Sequence, residues 1–309
     1  MNSPSNAAPD SLPGSPAVAA APETRPLYWS IRRELWENRS LYIAPLIVAG
    51  VMLLGLLIAA LNSHTRIQAM SSLMQAQLHG KVTVPYSIIA FLLIVTSWII
   101  GAFYSLDALH GERRDRSILF WKSLPVSDRV TVVSKASIPL VVLPVILFPI
   151  IVGTQLLMLL MGTVVLLASG VDTAILWSQL SVPKMSLALL YALAVIALWH
   201  APIYGWLLVV SAWARRATFL WASLPLLAIG IFEKIAFNTS YFGALLKYRL
   251  MGWFMEAFDV NAPGSVPTDP LTHLTPVKFL SIPGLWAGLA VAAGLLALAV
   301  WLRRYREPM

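Results

Sequence analysis

Six long apolar runs, separated by shorter polar segments, set the pattern of the chain: residues 41–61, 85–106, 138–168, 185–212, 217–237 and 282–302. Each reaches the ~20 residues a helix needs to cross a hydrocarbon core. In lipid every backbone N–H and C=O must be paired internally, so runs of this length predict helices. The two-residue alternation of a membrane barrel is absent. The third run exceeds one untilted crossing, and Pro139, Pro144 and Pro149 predict a kink or tilt in its first half. In the fifth, Glu233 and Lys234 stand near one end, where long side chains reach the interface. They are expected to anchor the span there; the alternative is a place on an ion path.

The polar stretches carry further pattern. Residues 27–40 place Leu27, Ile31 and Leu35 on one helical face, with Arg32, Arg33 and Glu37 pointing elsewhere, which predicts an interfacial amphipathic helix. Residues 241–258 are apolar and aromatic with few charges and predict one or two short helices. Residues 1–26 hold six prolines among Ala, Ser and Asn and read as a disordered cytoplasmic tail. They lack the basic segment and continuous apolar core of a signal peptide.

Composition narrows the class. Hydrophobic residues make up 58% and charged residues 12% of the 309 positions, too little charge to cover a soluble surface. The net charge of +8 is not spread as a nucleic-acid face; it gathers at the ends of the apolar runs. With the N-terminus inside, the inner segments hold fifteen of the 22 Lys and Arg: four before the first run, six between 107 and 136, Arg215 and Arg216, and Arg303, Arg304 and Arg306. Basic residues favour the cytoplasmic side, so both termini are expected there. There is no cysteine, which removes thiolate metal sites and cysteine nucleophiles. The fold class that follows is an all-α polytopic membrane protein with one domain over 27–306.

The 107–136 segment carries most of the functional signal. Glu112 and Arg116 are i,i+4 partners from which a helix can begin. Ile118, Leu119, Phe120 and Trp121 then form an apolar cluster beside charge, Leu124 follows, and Pro125 ends the helix. Ser127 or Asp128 caps the helix that enters the third run. An exposed apolar cluster needs a partner. The partner is either the bilayer surface, with Arg113, Arg114 and Arg116 near lipid phosphates, or a cytoplasmic protein.

Glu112-Arg113, Ser117-Ile118, Ser123-Leu124-Pro125-Val126-Ser127 and Lys135 entering a helix resemble the loop of ABC-2-type permeases, the membrane subunits of ABC exporters. Arg116, Leu119 and Asp128 depart from that pattern. The likeness extends to the six-span topology over 27–306. It implies that Glu112, Arg113, Arg116, Ile118, Leu119, Phe120, Trp121, Leu124 and Pro125 belong to a coupling segment, with a short coupling helix seated on a separate ATP-binding subunit. It further implies ATP and Mg bound on that partner, a second permease copy or a paralogue completing the pathway, surrounding membrane lipid, and residence in a bacterial inner membrane. The chain itself has no Gly-x-x-x-x-Gly-Lys-[Ser/Thr] loop, and no residue is assigned a catalytic, cofactor-binding or metal-ligating role.

His200, in the fourth run beside Pro202 and Gly205, is the only histidine within an apolar run. Two roles stay open for it: a neutral imidazole hydrogen-bonded between helices, or a group on a transport path. The second role suits an ion- or proton-coupled carrier, although spans one to three and four to six show no internal repeat. A membrane anchor that recruits a cytoplasmic partner is the third reading. His64, His79, His110 and His273 have no metal-ligand spacing. Trp36, Trp177, Trp213, Trp253 and Trp301, near span ends, read as interfacial anchors.

Overall fold

The computed structural model describes residues 25–62, 83–117, 126–170, 172–258 and 273–305. The 1–26 tail, all but its last two residues, lies outside them. So do His64, His79 and the loop residues Ile118, Leu119, Phe120, Trp121, Leu124 and Pro125.

Among the described residues the chain is all-helical, with a single isolated bridge between Phe258 and Leu274. Six helices are long and apolar enough to cross a membrane. A short α1 (Pro26–Glu37) leads into the first of them, α2 (Ser40–Asn62). The second is α3 (Val84–Asp107), followed by the short α4 (His110–Arg114). The third is composite: α5 (Asp128–Ser137), a π-helical turn (Ile138–Val142) and α6 (Leu143–Ala168). After α7 (Ala174–Gln179) come α8 (Val182–Trp213) and α9 (Thr218–Phe237). The short α10 (Tyr241–Met251), α11 (Trp253–Ala257) and α12 (Pro276–Leu280) precede the last span, α13 (Pro283–Tyr305).

The predicted runs match these spans to within a few residues, except that the third span begins ten residues before its run, at Asp128. The irregularity predicted in the third run is the π-helical turn. Pro139 stands in it and Pro144 just after it. Proline has no N–H and its ring crowds the carbonyl four residues back, so an α-helical bond is lost at each. The wider turn takes up the mismatch, and the Leu143 N–H donates to the Ile138 carbonyl. Ser127 is the cap of α5: its Oγ accepts from the Val130 N–H at 3.3 Å. On the other side of the loop, α4 ends at Arg114 and Arg116 is left-handed (φ 55°), so the helix expected from a Glu112–Arg116 pair does not continue.

α8 is the central post. In its most apolar stretch 67% of residues are buried, against 11% in α2 and 6% in α9, which lie at the periphery. Its most extensive pairing is with α13. Gly205 allows that approach: a Cβ there would stand 3.2 Å from Leu295 Cβ. The two largest of four apolar clusters among the described residues lie along the bundle. One gathers Leu41, Leu109, Val132, Ile138, Leu208 and Ala299; the other gathers Ile89, Leu93, Leu147, Ile151, Leu159 and Leu193.

α1 turns part of its apolar stripe toward protein. Ile31 and Leu35 pack on the first core, because α5 offers Val132 and Ala136 as a partner surface. Tyr28, Trp29 and Trp36 stand exposed instead, and the Arg32 guanidinium lies 5.3 Å and 5.0 Å from the two indole centroids.

Candidate functional site: a buried ionic cluster at one end of the bundle

Where α1, α4, α5 and α13 converge, three carboxylates and three cations form the inner part of a network, whose Arg33 Nε also lies 3.5 Å from Oε1 of the exposed Glu37. Glu34, 1% exposed, is its centre. Its Oε1 accepts from Lys135 Nζ at 2.8 Å and from Arg33 Nη2 at 2.8 Å, and its Oε2 accepts from the Tyr104 hydroxyl at 2.7 Å. Glu112 accepts from Lys135 Nζ at 3.1 Å and Arg33 Nη2 at 3.3 Å through Oε1, and from Arg303 Nη1 through Oε2. Arg303 Nε donates to Asp128 Oδ1 at 3.0 Å. Lys135 therefore bridges two glutamates from distant segments, and Arg303 bridges Glu112 and Asp128, which flank the 115–127 loop on its two sides.

The charges of these six groups sum to zero, which is the condition for burying them at tolerable cost. Burial alone would raise the Glu34 carboxyl. Lys135, with the hydrogen bonds from Lys135, Tyr104 and Arg33, outweighs it and holds the group below its ordinary 4.5. Burial lowers the Arg33 pKa, and Glu34, Glu37 and Glu112 together outweigh it and raise it.

A second set of bonds ties α4 to the end of α8. Arg113, 3% exposed, donates through Nη1 to the Ala212 carbonyl at 2.6 Å and the Ala214 carbonyl at 3.4 Å. Those carbonyls end a helix and have no intrahelical donor. Ser211 Oγ accepts from the Leu109 and His110 N–H groups at 3.0 Å and 2.9 Å.

Of the described residues assigned to the coupling segment, Glu112 and Arg113 are thus interior, bonded to four other helices between them, while Arg116 is exposed. Glu34, Arg33, Lys135, Asp128 and Arg303 are partners that sequence reasoning did not assign to the site. One signal was present. Glu34 stands three residues after Ile31 and seven after Leu27, on the apolar stripe itself.

His200 lies elsewhere, buried on α8. Nδ1 is 2.9 Å from the Ile196 carbonyl and Nε2 is 3.2 Å from the Leu250 carbonyl. One contact stays within its own helix and the other reaches the last turn of α10. A neutral ring has one N–H and serves one of these carbonyls at a time. Glu233 also has a local role: its Oε1 accepts from Thr239 Oγ1 at 2.8 Å and the Tyr241 N–H at 2.7 Å, and its Oε2 from the Phe242 N–H at 2.8 Å. It caps the start of α10. Trp36, Trp177, Trp213 and Trp301 are exposed, whereas Trp253 is half-buried.

Comparison with known proteins identifies no relative: no family model, curated protein or solved structure matches the chain.

Proposed function

We propose that this chain is the membrane-spanning permease subunit of an ATP-driven exporter of the ABC-2 type. It forms half of a translocation pathway, and a second copy or a paralogue supplies the other half. Residues 107–136 and both termini face the cytoplasm of a bacterial cell, and a separate subunit binds and hydrolyses ATP. The observation that carries the reading is the ionic cluster. Glu112 on one side of the loop, and Asp128 and Lys135 on the other, are bonded to Glu34 of α1 and Arg303 of α13. A force applied to the loop through a docked ATPase is delivered to three helices at once. The seat for that partner is the apolar loop sequence from Ile118 to Leu124. The work of the chain is conformational: closing the ATPases moves the loops, and the joint turns that motion into a rocking of the spans.

Purification in mild detergent, with mass identification of retained chains and an ATP-driven flux assay in vesicles, tests this. Wild type should retain an ATPase bearing a phosphate-binding loop, and Phe120→Asp or Trp121→Asp should lose it. Lys135→Met should keep the ATPase and lose flux, since the docking surface remains while the joint is broken. Normal ATP-driven flux in the Phe120→Asp variant, or no ATPase partner for an inserted wild type, would overturn the reading.

A further inference from the structure

At the end of the bundle away from the ionic cluster, α10 lays Arg249 into a notch between α8 and α13. Its guanidinium carbon is 4.8 Å from the Trp199 ring centroid, and Nη2 donates to the Gly284 carbonyl at 3.4 Å. Gly288 makes the notch, because a Cβ there would overlap the guanidinium. Trp199 is fully buried and is itself fixed: its Nε1 donates to the Arg249 carbonyl at 3.0 Å, and its ring meets Tyr248 and Phe279 at 5.3 Å and 6.1 Å. Gly288 lies about 22 Å along α13 from Arg303 by the helical rise. The charge therefore sits toward the far boundary of a hydrocarbon core ~30 Å thick.

Among the described residues no carboxylate balances this cation. Glu256, on α11, accepts instead from the Tyr248 hydroxyl at 3.0 Å. Burial lowers the Arg249 pKa from its ordinary value, with Tyr248 acting in the opposite direction. A guanidinium offers five N–H donors in a planar fork suited to phosphate. One is engaged here, by a long bond to a carbonyl. Arg249 is half-buried, and Leu245, one turn earlier on the same face of α10, is 63% exposed.

We propose that Arg249 binds the phosphodiester of a membrane phospholipid, its free N–H edge clasping the phosphate while the acyl chains lie on the apolar surface that flanks α10. Trp199, Gly284 and Gly288 hold the guanidinium in place, so the site is built before the lipid arrives. The exposed Leu245 beside the charge favours a lipid over a soluble phosphate. The site needs only the six-span bundle and not the coupling to an ATPase.

Native mass spectrometry of the full chain, released from neutral detergent, tests the assignment. The probes are phosphatidylglycerol, diacylglycerol with the same chains, and inorganic phosphate as competitor. Wild type should retain phosphatidylglycerol and not diacylglycerol. Arg249→Gln should weaken retention by about tenfold, and Arg249→Lys by less, because lysine keeps the charge and loses the fork. Equal retention of phosphatidylglycerol by wild type and Arg249→Gln would overturn the proposal, as would diacylglycerol binding as well as phosphatidylglycerol. Competition by inorganic phosphate at matching concentration would overturn the lipid assignment in favour of a soluble phosphate-bearing ligand. Should the glutamine variant fail to fold, Arg249→Lys decides: reduced retention supports the site and unchanged retention overturns it.

Discussion

Arg303 and Glu112, 191 positions apart in the sequence, form a buried ion pair that joins the last span to the helix preceding the 115–127 loop. Neither group is optional once the other is buried. Breaking a buried pair from one side leaves an uncompensated charge and costs about 3–5 kcal/mol, while replacing the whole set with apolar groups of similar volume is often neutral. Glu112→Gln is therefore expected to lower the unfolding midpoint in detergent strongly, and Arg303→Met likewise. The double variant should fall well short of the sum of the two losses. Additive losses in a double-mutant cycle would show that the pair is not coupled.

Acid should loosen the same joint through Glu34. The carboxyl's folded-state pKa lies below the ordinary 4.5, so its contribution to stability is complete above about that pH. It is lost progressively as pH falls from 4.5 through the folded value. Melting curves from pH 7 to pH 3 should show a steep drop in the acid range. Glu34→Gln should start from a lower midpoint at pH 7 and lose less of it below pH 4.5. Parallel acid profiles for the two proteins would exclude this role for Glu34.

Ser211 has a more local effect. Its hydroxyl accepts from two N–H groups of the α3–α4 corner, and both are left without that acceptor in Ser211→Ala. The cost of stranding buried donors is about 1–3 kcal/mol each. The loss should appear as faster amide hydrogen exchange at Leu109 and His110, with protection in α6 unchanged.

Gly288→Ala should fail for a reason that Arg249 explains. The new methyl occupies the guanidinium's space, so either the arginine leaves its notch or α10 moves off α13. We expect a clear loss of thermal stability that Arg249→Ala partly restores, since the shorter side chain vacates the notch. A Gly288→Ala chain as stable as wild type would mean the notch is not filled in solution.

The spans were legible because the bilayer imposes a length and an apolarity that a run of residues either meets or does not. Prolines at 139 and 144 announced the irregular turn, and the polarity of Ser127 announced a cap. The ionic cluster was hidden for a different reason. Lys135 and Arg303 stand at the ends of apolar runs, where basic residues are abundant for topological reasons, and sequence offers no means of telling a charge that faces lipid headgroups from one that faces a carboxylate on another helix. Glu34 could have been found, since an acid on the apolar stripe of an amphipathic helix requires a buried partner. The partners' identity depended on how α1, α5 and α13 meet, which is a tertiary fact. His200 shows the converse: an ionisable residue within a span drew attention by its type, and its ring nitrogens face two backbone carbonyls while its ring packs edge-on against Trp98.

The π-helical turn at Ile138–Val142 acts as a phase shifter between two halves of one span. An α-helix turns about 100° per residue, and a π turn accommodates one residue more than the regular winding. Everything before the turn, including Lys135 and Ser134, is thereby rotated about the axis relative to everything after it. This lets the same span aim an ammonium at Glu34 and Glu112 on one side of Pro139, and a row of leucines and isoleucines into the apolar core on the other. Winding these same residues as a regular α-turn would leave composition and length untouched, yet would rotate Lys135 by about 100° out of the joint and take from Glu34 and Glu112 the ammonium they share.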